Sequence, residues 1–188
     1  MTTYLLTLAL WVTAPAQLRV NNEAALTADQ RAVLPLVELV QGAILQGDRS
    51  RFTNMFETSG RRLTSDQIRE IDALVRRIEN PTDILSCAIF DTACARAQMK
   101  TAGVPDSDRF VSVKEFLQKH RNELQVTFQD TVEGVVQVVV HPPFRPDSAT
   151  VPPPPGTYDA LTIGFLKVGS EWKMNVLFPE MYRLVLLR

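Results

Sequence analysis

The hydrophobic pattern of this 188-residue chain changes period once, near residue 125, and that change limits the fold more than any single motif. Ahead of it, apolar residues recur at helical spacing. Val33, Leu36, Val37, Val40 and Ile44 form one stripe, and Ile68, Ile71, Leu74, Val75 and Ile78 form another. Each stripe opens on a capping-box pattern, T-A-D-Q at 27–30 and T-S-D-Q at 64–67. In such a box the threonine and glutamine side chains satisfy each other's backbone N–H groups. Pro35 interrupts the first stripe and is expected to kink or restart that helix. The helix ends near Gly47-Asp48, a short second helix is expected to carry Phe52, Met55 and Phe56, and Asn80-Pro81 stops the next. A further helical stretch runs from Thr82 to about Lys100. Ser112 and Glu115 read as another capping box, leading a helix with Val113, Phe116, Leu117 and Leu124 on one side.

Beyond the change, "QVTFQDT" and "VVQVVVH" alternate and are rich in β-branched residues, with Glu133-Gly134 between them. Residues 142–159 contain seven prolines in 18 positions, which excludes a central strand or a helix. They read as a long connection between strands, with polyproline II at 152–155. Residues 158–188 read as three strands, with turns at Val168-Gly169-Ser170 and Phe178-Pro179-Glu180. Helices first and strands after define an α+β class, with N-terminal helices packed on an antiparallel sheet. The 45% hydrophobic and 22% charged composition is globular. Residues 17–188 accordingly read as a single α+β domain with a Pro-rich connection at 142–157.

The first 16 residues stand apart. An apolar run from Tyr4 to Val12 is too short for a bilayer, which needs about 20 residues. It matches a signal-peptide core, and Ala14-Pro15-Ala16 reads as a cleavage site, so Gln17 is expected to be the mature N-terminus. The n-region lacks Lys and Arg, and the alternative is a buried N-terminal strand or helix. Export places the protein in the periplasm or outside the cell. It also changes how Cys87 and Cys94 read. On one unbroken helix they would lie about 10 Å apart, too far to bridge. A break near Phe90-Asp91, with Asp91 capping a new turn, would bring them into disulfide reach; two buried thiols are the alternative.

Charge excludes some partners. Twenty basic and 21 acidic residues leave a net charge of −1, and the seven arginines between Asp48 and Glu79 mix with six acidic residues. No nucleic-acid partner and no membrane span are expected.

With the elements in this order, "LVELVQGAILQGDRSRFTNMF" and "FLKVGSEWKMNVLF" together resemble the nuclear-transport-factor-two-like (SnoaL-like) superfamily. The N-terminal piece is similar to that superfamily's opening helix pair. The C-terminal piece is similar to its final hairpin, in which a Trp opens the last strand. The resemblance covers about 35 residues and implies a cone-like, cystatin-related fold whose curved sheet and helices enclose an apolar pocket. The insertion at 57–101 and the Pro-rich connection depart from the common pattern, and either could cover the pocket mouth. Relatives of this kind include isomerases, dehydratases, ligand binders and protein-interaction modules, so the fold alone assigns no chemistry.

Enzymes of that superfamily use a carboxylate, sometimes with Tyr or His, inside the cavity, where burial raises a carboxyl pKa. The residues able to play such a part are Asp130, His141, Tyr158 and Asp159, beside strand ends or the Pro-rich connection. Their alternative is ordinary edge and loop polarity. Glu133 and Glu171 flank turns, and His120 lies on a polar helix face, where exposure is expected. Phe128, Phe165, Trp172 and Met174 are the candidate ligand-pocket residues, although core packing also explains their alternation. No nucleophile elbow, P-loop, dinucleotide fingerprint or zincin motif is present, and the Cys and His spacing fits no zinc pattern, so no cofactor and no metal are expected.

The sequence therefore points to an exported, non-catalytic domain binding a small apolar molecule or a protein partner through the concave sheet. A cofactor-free isomerase or dehydratase is one alternative. A structural module that dimerises through the sheet is the other.

Overall fold

The computed structural model describes residues 19–20, 25–56, 63–105, 107–129, 134–143 and 160–179, the side chains of 176–179 excepted. These residues form six α-helices and a five-stranded, mostly antiparallel sheet, so the class is α+β. The expected leader, Asp130, most of the Pro-rich connection with Tyr158 and Asp159, and the expected final strand lie outside the described residues.

Helix α1 (Ala28–Gln46) starts on a complete capping box: the Thr27 hydroxyl accepts from Gln30 N–H at 3.1 Å, and Thr27 N–H donates to Gln30 Oε1 at 2.9 Å. The helix continues through Pro35 rather than restarting there. Pro35 and Arg31, whose carbonyl loses its helical donor, are both exposed, so water can serve that carbonyl. Buried Val33 and Val37 hold the turns on either side. Gly47 ends the helix at φ +71°, a left-handed conformation that favours glycine, and Asp48 then caps α2 (Arg49–Thr53) by accepting from Arg51 N–H. Only Phe52 of the expected trio lies within α2. Phe56 lies beyond it and makes a parallel bridge to Met174.

Helix α3 (Ser65–Glu79) repeats the complete box with Thr64 and Gln67. The next helical stretch is two helices, α4 (Ile84–Phe90) and α5 (Thr92–Thr101), broken at Asp91. Asp91 ends the first and caps the second by accepting from Cys94 N–H. That corner brings the Cα atoms of Cys87 and Cys94 to 5.2 Å, within disulfide distance.

Helix α6 (Val113–Lys119) corrects two expectations. Ser112 accepts from Glu115 N–H, but its own N–H donates to the Thr92 hydroxyl, so the anticipated reciprocal box is replaced by a contact to α5. The helix also stops before Leu124, which is buried in the segment leading to the sheet. His120, expected on an exposed face, caps the C-terminus half-buried, beside the Phe116 ring and paired with Glu123.

The sheet order is β1-β2-β3-β4-β5. Strands β2 (Gln125–Phe128), β3 (Val135–His141), β4 (Leu161–Val168) and β5 (Glu171–Pro179) form an antiparallel meander. The two-residue strand β1 (Arg19–Val20) precedes every described helix and pairs parallel to β2, a strand the helices-then-strands reading lacked. The turn anticipated at Phe178-Pro179-Glu180 is also corrected, because β5 runs through Pro179, which pairs with Leu161. Proline is tolerated there because it ends a strand with no partner beyond it among the described strands.

One continuous core joins the two layers. Val33, Val37, Val40 and Ile44 from α1 and Phe52 from α2 pack with Val126, Val136, Val138, Val140, Leu161, Ile163, Phe165 and Met174 from the sheet. No described helix is long and apolar enough to cross a membrane.

Candidate functional site

The pleat of β2–β5 decides which side chains meet the helices, because successive residues point to opposite faces. Val138 lies opposite Phe128 on β2 and Ile163 on β4, and Phe165 lies opposite Val136 and Met174. All of these belong to the core or pack against it, so the inner face is a continuous apolar surface. Of the four candidate pocket residues, Phe165 and Met174 are fully buried, while Phe128 and Trp172 sit half-buried at its margin. The structure thus brings all four onto one face of one sheet.

A charged tie borders that surface at the β4–β5 turn. Lys167 lies opposite Trp172, with its ammonium 5.5 Å from the indole ring centre and 3.2 Å from Asp29 Oδ1 in the first turn of α1. Cation–π attraction and an ion pair near the helix N-terminus both act on this margin. Each partner is about a third exposed, so the ion pair contributes no more than about 1 kcal/mol.

The pairing of β4 with β5 shifts register between Gly164 and Phe165. Gly164 pairs with Val176 and Phe165 with Met174, which leaves Asn175 as the extra residue of a bulge in β5. Asn175 Oδ1 is buried and accepts no hydrogen bond from the described residues.

Helix α1 supplies the other polar exception. Its buried residues are Val33, Val37, Val40, Gln41, Ala43 and Ile44, and Gln41 is only 2% exposed. Neither Gln41 Nε2 nor Gln41 Oε1 has a hydrogen-bond partner among the described residues. Other buried polar side chains are served. Thr53 donates to the Ser50 carbonyl, Ser86 accepts from Arg49 Nε at 3.2 Å, and Ser112 is bound to Thr92 and Glu115. Leaving a buried amide group unpaired costs about 1–3 kcal/mol, so Gln41 holds a position that packing alone would give to Leu or Met. Helical periodicity over the apolar residues passes over this glutamine. A polar residue inside an otherwise apolar stripe is the signal that could have found it.

Of the proposed acid–base residues, only His141 lies among the described ones. It follows Val140, a core residue, so the pleat directs it to the opposite face of the sheet. It is buried there, with Nε2 2.8 Å from Thr127 Oγ1 and Nδ1 2.7 Å from the Pro142 carbonyl. A carbonyl can only accept, so Nδ1 carries a proton, while the Thr127 hydroxyl can donate to Nε2 or accept from it. Both ring nitrogens are thereby engaged. Glu171 is exposed beside its turn, as expected. Cys87 lies in a second, smaller core with Ala88, Ala95, Met99 and Phe110, and Cys94 packs against it. Among the described residues no group of three or more His, Cys, Asp or Glu side chains could hold a metal ion.

Comparison with protein-family models, curated proteins and solved structures finds no match to this chain.

Proposed function

We propose that this is an exported, non-catalytic binding domain that holds a small apolar molecule between its helices and the inner face of its sheet. The observation that carries the reading is the make-up of that face. From Val126 to Met174 it is built of apolar side chains, and Lys167 stands only at its margin, tied to Asp29. Such a surface suits an apolar molecule, and the described side chains of that face carry no group that would exchange protons with it. The engaged nitrogens of His141, on the other face, support the non-catalytic reading. Export rests on the apolar leader with its Ala14-Pro15-Ala16 site, and the cysteine pair at disulfide distance supports it. The nuclear-transport-factor-two-like resemblance is a further proposal, in keeping with helices packed on a mostly antiparallel sheet.

The test uses N-phenylnaphthylamine, a neutral fluorophore that brightens in apolar surroundings. It should bind saturably with one-to-one stoichiometry and raise the melting midpoint. At a hundredfold excess over Kd the gain is about 2.7 kcal/mol. Absence of both saturation and a midpoint shift would sink the reading. For export, the mass of the native protein should correspond to a chain starting at Gln17, and a cytosolic chain retaining Met1 would count against it.

A further inference from the structure

The outward side of α1 lacks the charge that a solvated helix face ordinarily carries. We propose that it is a docking surface for a second copy of this chain, the two α1 helices lying antiparallel across a two-fold axis. Ala28, Ala32, Pro35 and Leu39 are exposed, and with half-buried Gly42 they recur at alternating intervals of four and three residues. That is the spacing of a seam between two helices, and it runs on the side turned away from buried Val33, Val37, Val40 and Ile44. Leu39, at 42%, is the exposed large hydrophobic residue among the described ones. Only three of the 19 residues of α1 are charged, whereas α3 carries seven charged residues in 15. Both helices bury one side, so α3 shows how this protein builds a helix side meant for water, and α1 departs from it. A lone exposed leucine needs no partner, but a continuous uncharged seam around it does.

Charge complementarity selects the partner. Arg31 and Glu38 lie one heptad apart on the same edge of the seam, both exposed and neither ion-paired among the described residues. Seven residues of helix separate them by about 10 Å along the axis, too far for them to pair with each other. In an antiparallel pair like edges meet, so Arg31 of each copy faces Glu38 of the other and both contacts form together. The same register sets Leu39 of each copy against Ala28 and Ala32 of the other, a large side chain over two small ones. A parallel pair would instead set Arg31 and Glu38 opposite Leu36 and Ala43 and leave both charges unmatched. A contact of so few helical turns falls below the roughly 1,200 Å² of a standard interface, so the association is weak and concentration-dependent. The seam lies on the far side of α1 from the inner sheet face, so it stands independently of the apolar-ligand reading.

Sedimentation equilibrium of the full-length protein, from about 10 μM to about 1 mM, reads the association. Wild type should pass from monomer to dimer in that range and go no further. Arg31→Glu sets carboxylates against each other in both contacts and should weaken the dimer by about tenfold. Glu38→Arg should do the same with guanidinium groups. An equimolar mixture of those two variants should regain the wild-type affinity, because every contact between them joins opposite charges. The double variant Arg31→Glu, Glu38→Arg should regain it as well. Leu39→Gln should weaken the dimer by about tenfold whatever the charges beside it. All three positions are exposed, so each variant should keep the helical circular dichroism of wild type, and recovery in the mixture shows that both components are folded. A wild type that stays monomeric at the highest concentration overturns the proposal, and the seam would then belong to a different partner or to none. A dimer equally tight in both single variants also overturns it, as does a mixture no tighter than its components, since the copies would then meet elsewhere.

Discussion

The backbone N–H of Ser112 sits where α5 meets α6, and its acceptor is the Thr92 hydroxyl, 2.9 Å away. Thr92 returns its own proton to Ser112 Oγ at 3.0 Å, and that oxygen also accepts from Glu115 N–H to cap α6. Two hydroxyls thereby satisfy a helix start at the joint between two helices. Ser112 is 2% exposed, so water cannot replace Thr92 as its acceptor. Thr92→Val keeps the shape and removes both hydrogen bonds, and it should destabilise the protein by about 1–3 kcal/mol. Thr92→Ser should recover most of that loss. Glu115→Ala should cost only about 0.3–1 kcal/mol, through the helix dipole. Urea unfolding of the three variants measures the order, and a larger loss for Glu115→Ala than for Thr92→Val would restore the motif's own account. The S-x-x-E spacing located this cap correctly but misassigned its partner, because Thr92 lies 20 residues away and no local pattern specifies it.

The corner between α4 and α5 depends on a few residues in one short stretch, and for that reason much of it is legible in sequence. Asp91 takes the N-terminal hydrogen bond of α5 and ends α4, and the turn brings Cys87 and Cys94 together. A disulfide closing so short a loop removes unfolded-state entropy worth about 2–3 kcal/mol. A reducing agent should therefore lower the stability of the oxidised protein by about that amount. The double variant Cys87→Ala, Cys94→Ala should match the reduced protein and ignore the reductant. Denaturant midpoints with and without reductant decide it, and a midpoint indifferent to reductant in the wild type would overturn the bridge. Elements whose partners are distant in sequence were harder to read. Arg19–Val20 becomes a strand only because Gln125–Val126 offers a parallel edge. Pro179 continues β5 because Leu161 pairs with it, although Phe178-Pro179-Glu180 has the composition of a turn. The continuity of α1 through Pro35 likewise follows from burial on both sides of the proline, which local propensity does not register.

How the helical layer and the sheet act together turns on Phe52. It is fully buried, meets Phe56 edge-on at 5.8 Å and meets Phe90 of α4 edge-on at 5.7 Å. Phe56 is bridged to Met174 on β5, and Met174 N–H donates to the Met55 carbonyl at 2.8 Å. The Arg49 guanidinium lies over the far ring, 4.9 Å from the centre of Phe90, and also holds Ser86. Phe52 and Phe56 together thus link α2, the helix that carries Cys87 and the last described strand. Such a link reconciles the readable part of the molecule with the unreadable part. Periodicity assigned the apolar faces of α1 and α3 and the alternation of β3, but which face meets which, and where Gln41 falls within the packed space, depends on tertiary contacts. If the two layers form one cooperative unit, helix loss and sheet loss should coincide. In the chain that starts at Gln17, Trp172 on β5 is the single tryptophan, so its fluorescence reports the sheet while circular dichroism at the helical band reports the helices. The two urea transitions should superimpose. Adding Phe52→Leu removes the aromatic contacts on both sides, and it should shift both curves together by about 1–3 kcal/mol. Separate midpoints, or a shift confined to the helical signal, would mean that the helices and the sheet unfold as independent parts and that Phe52 does not couple them.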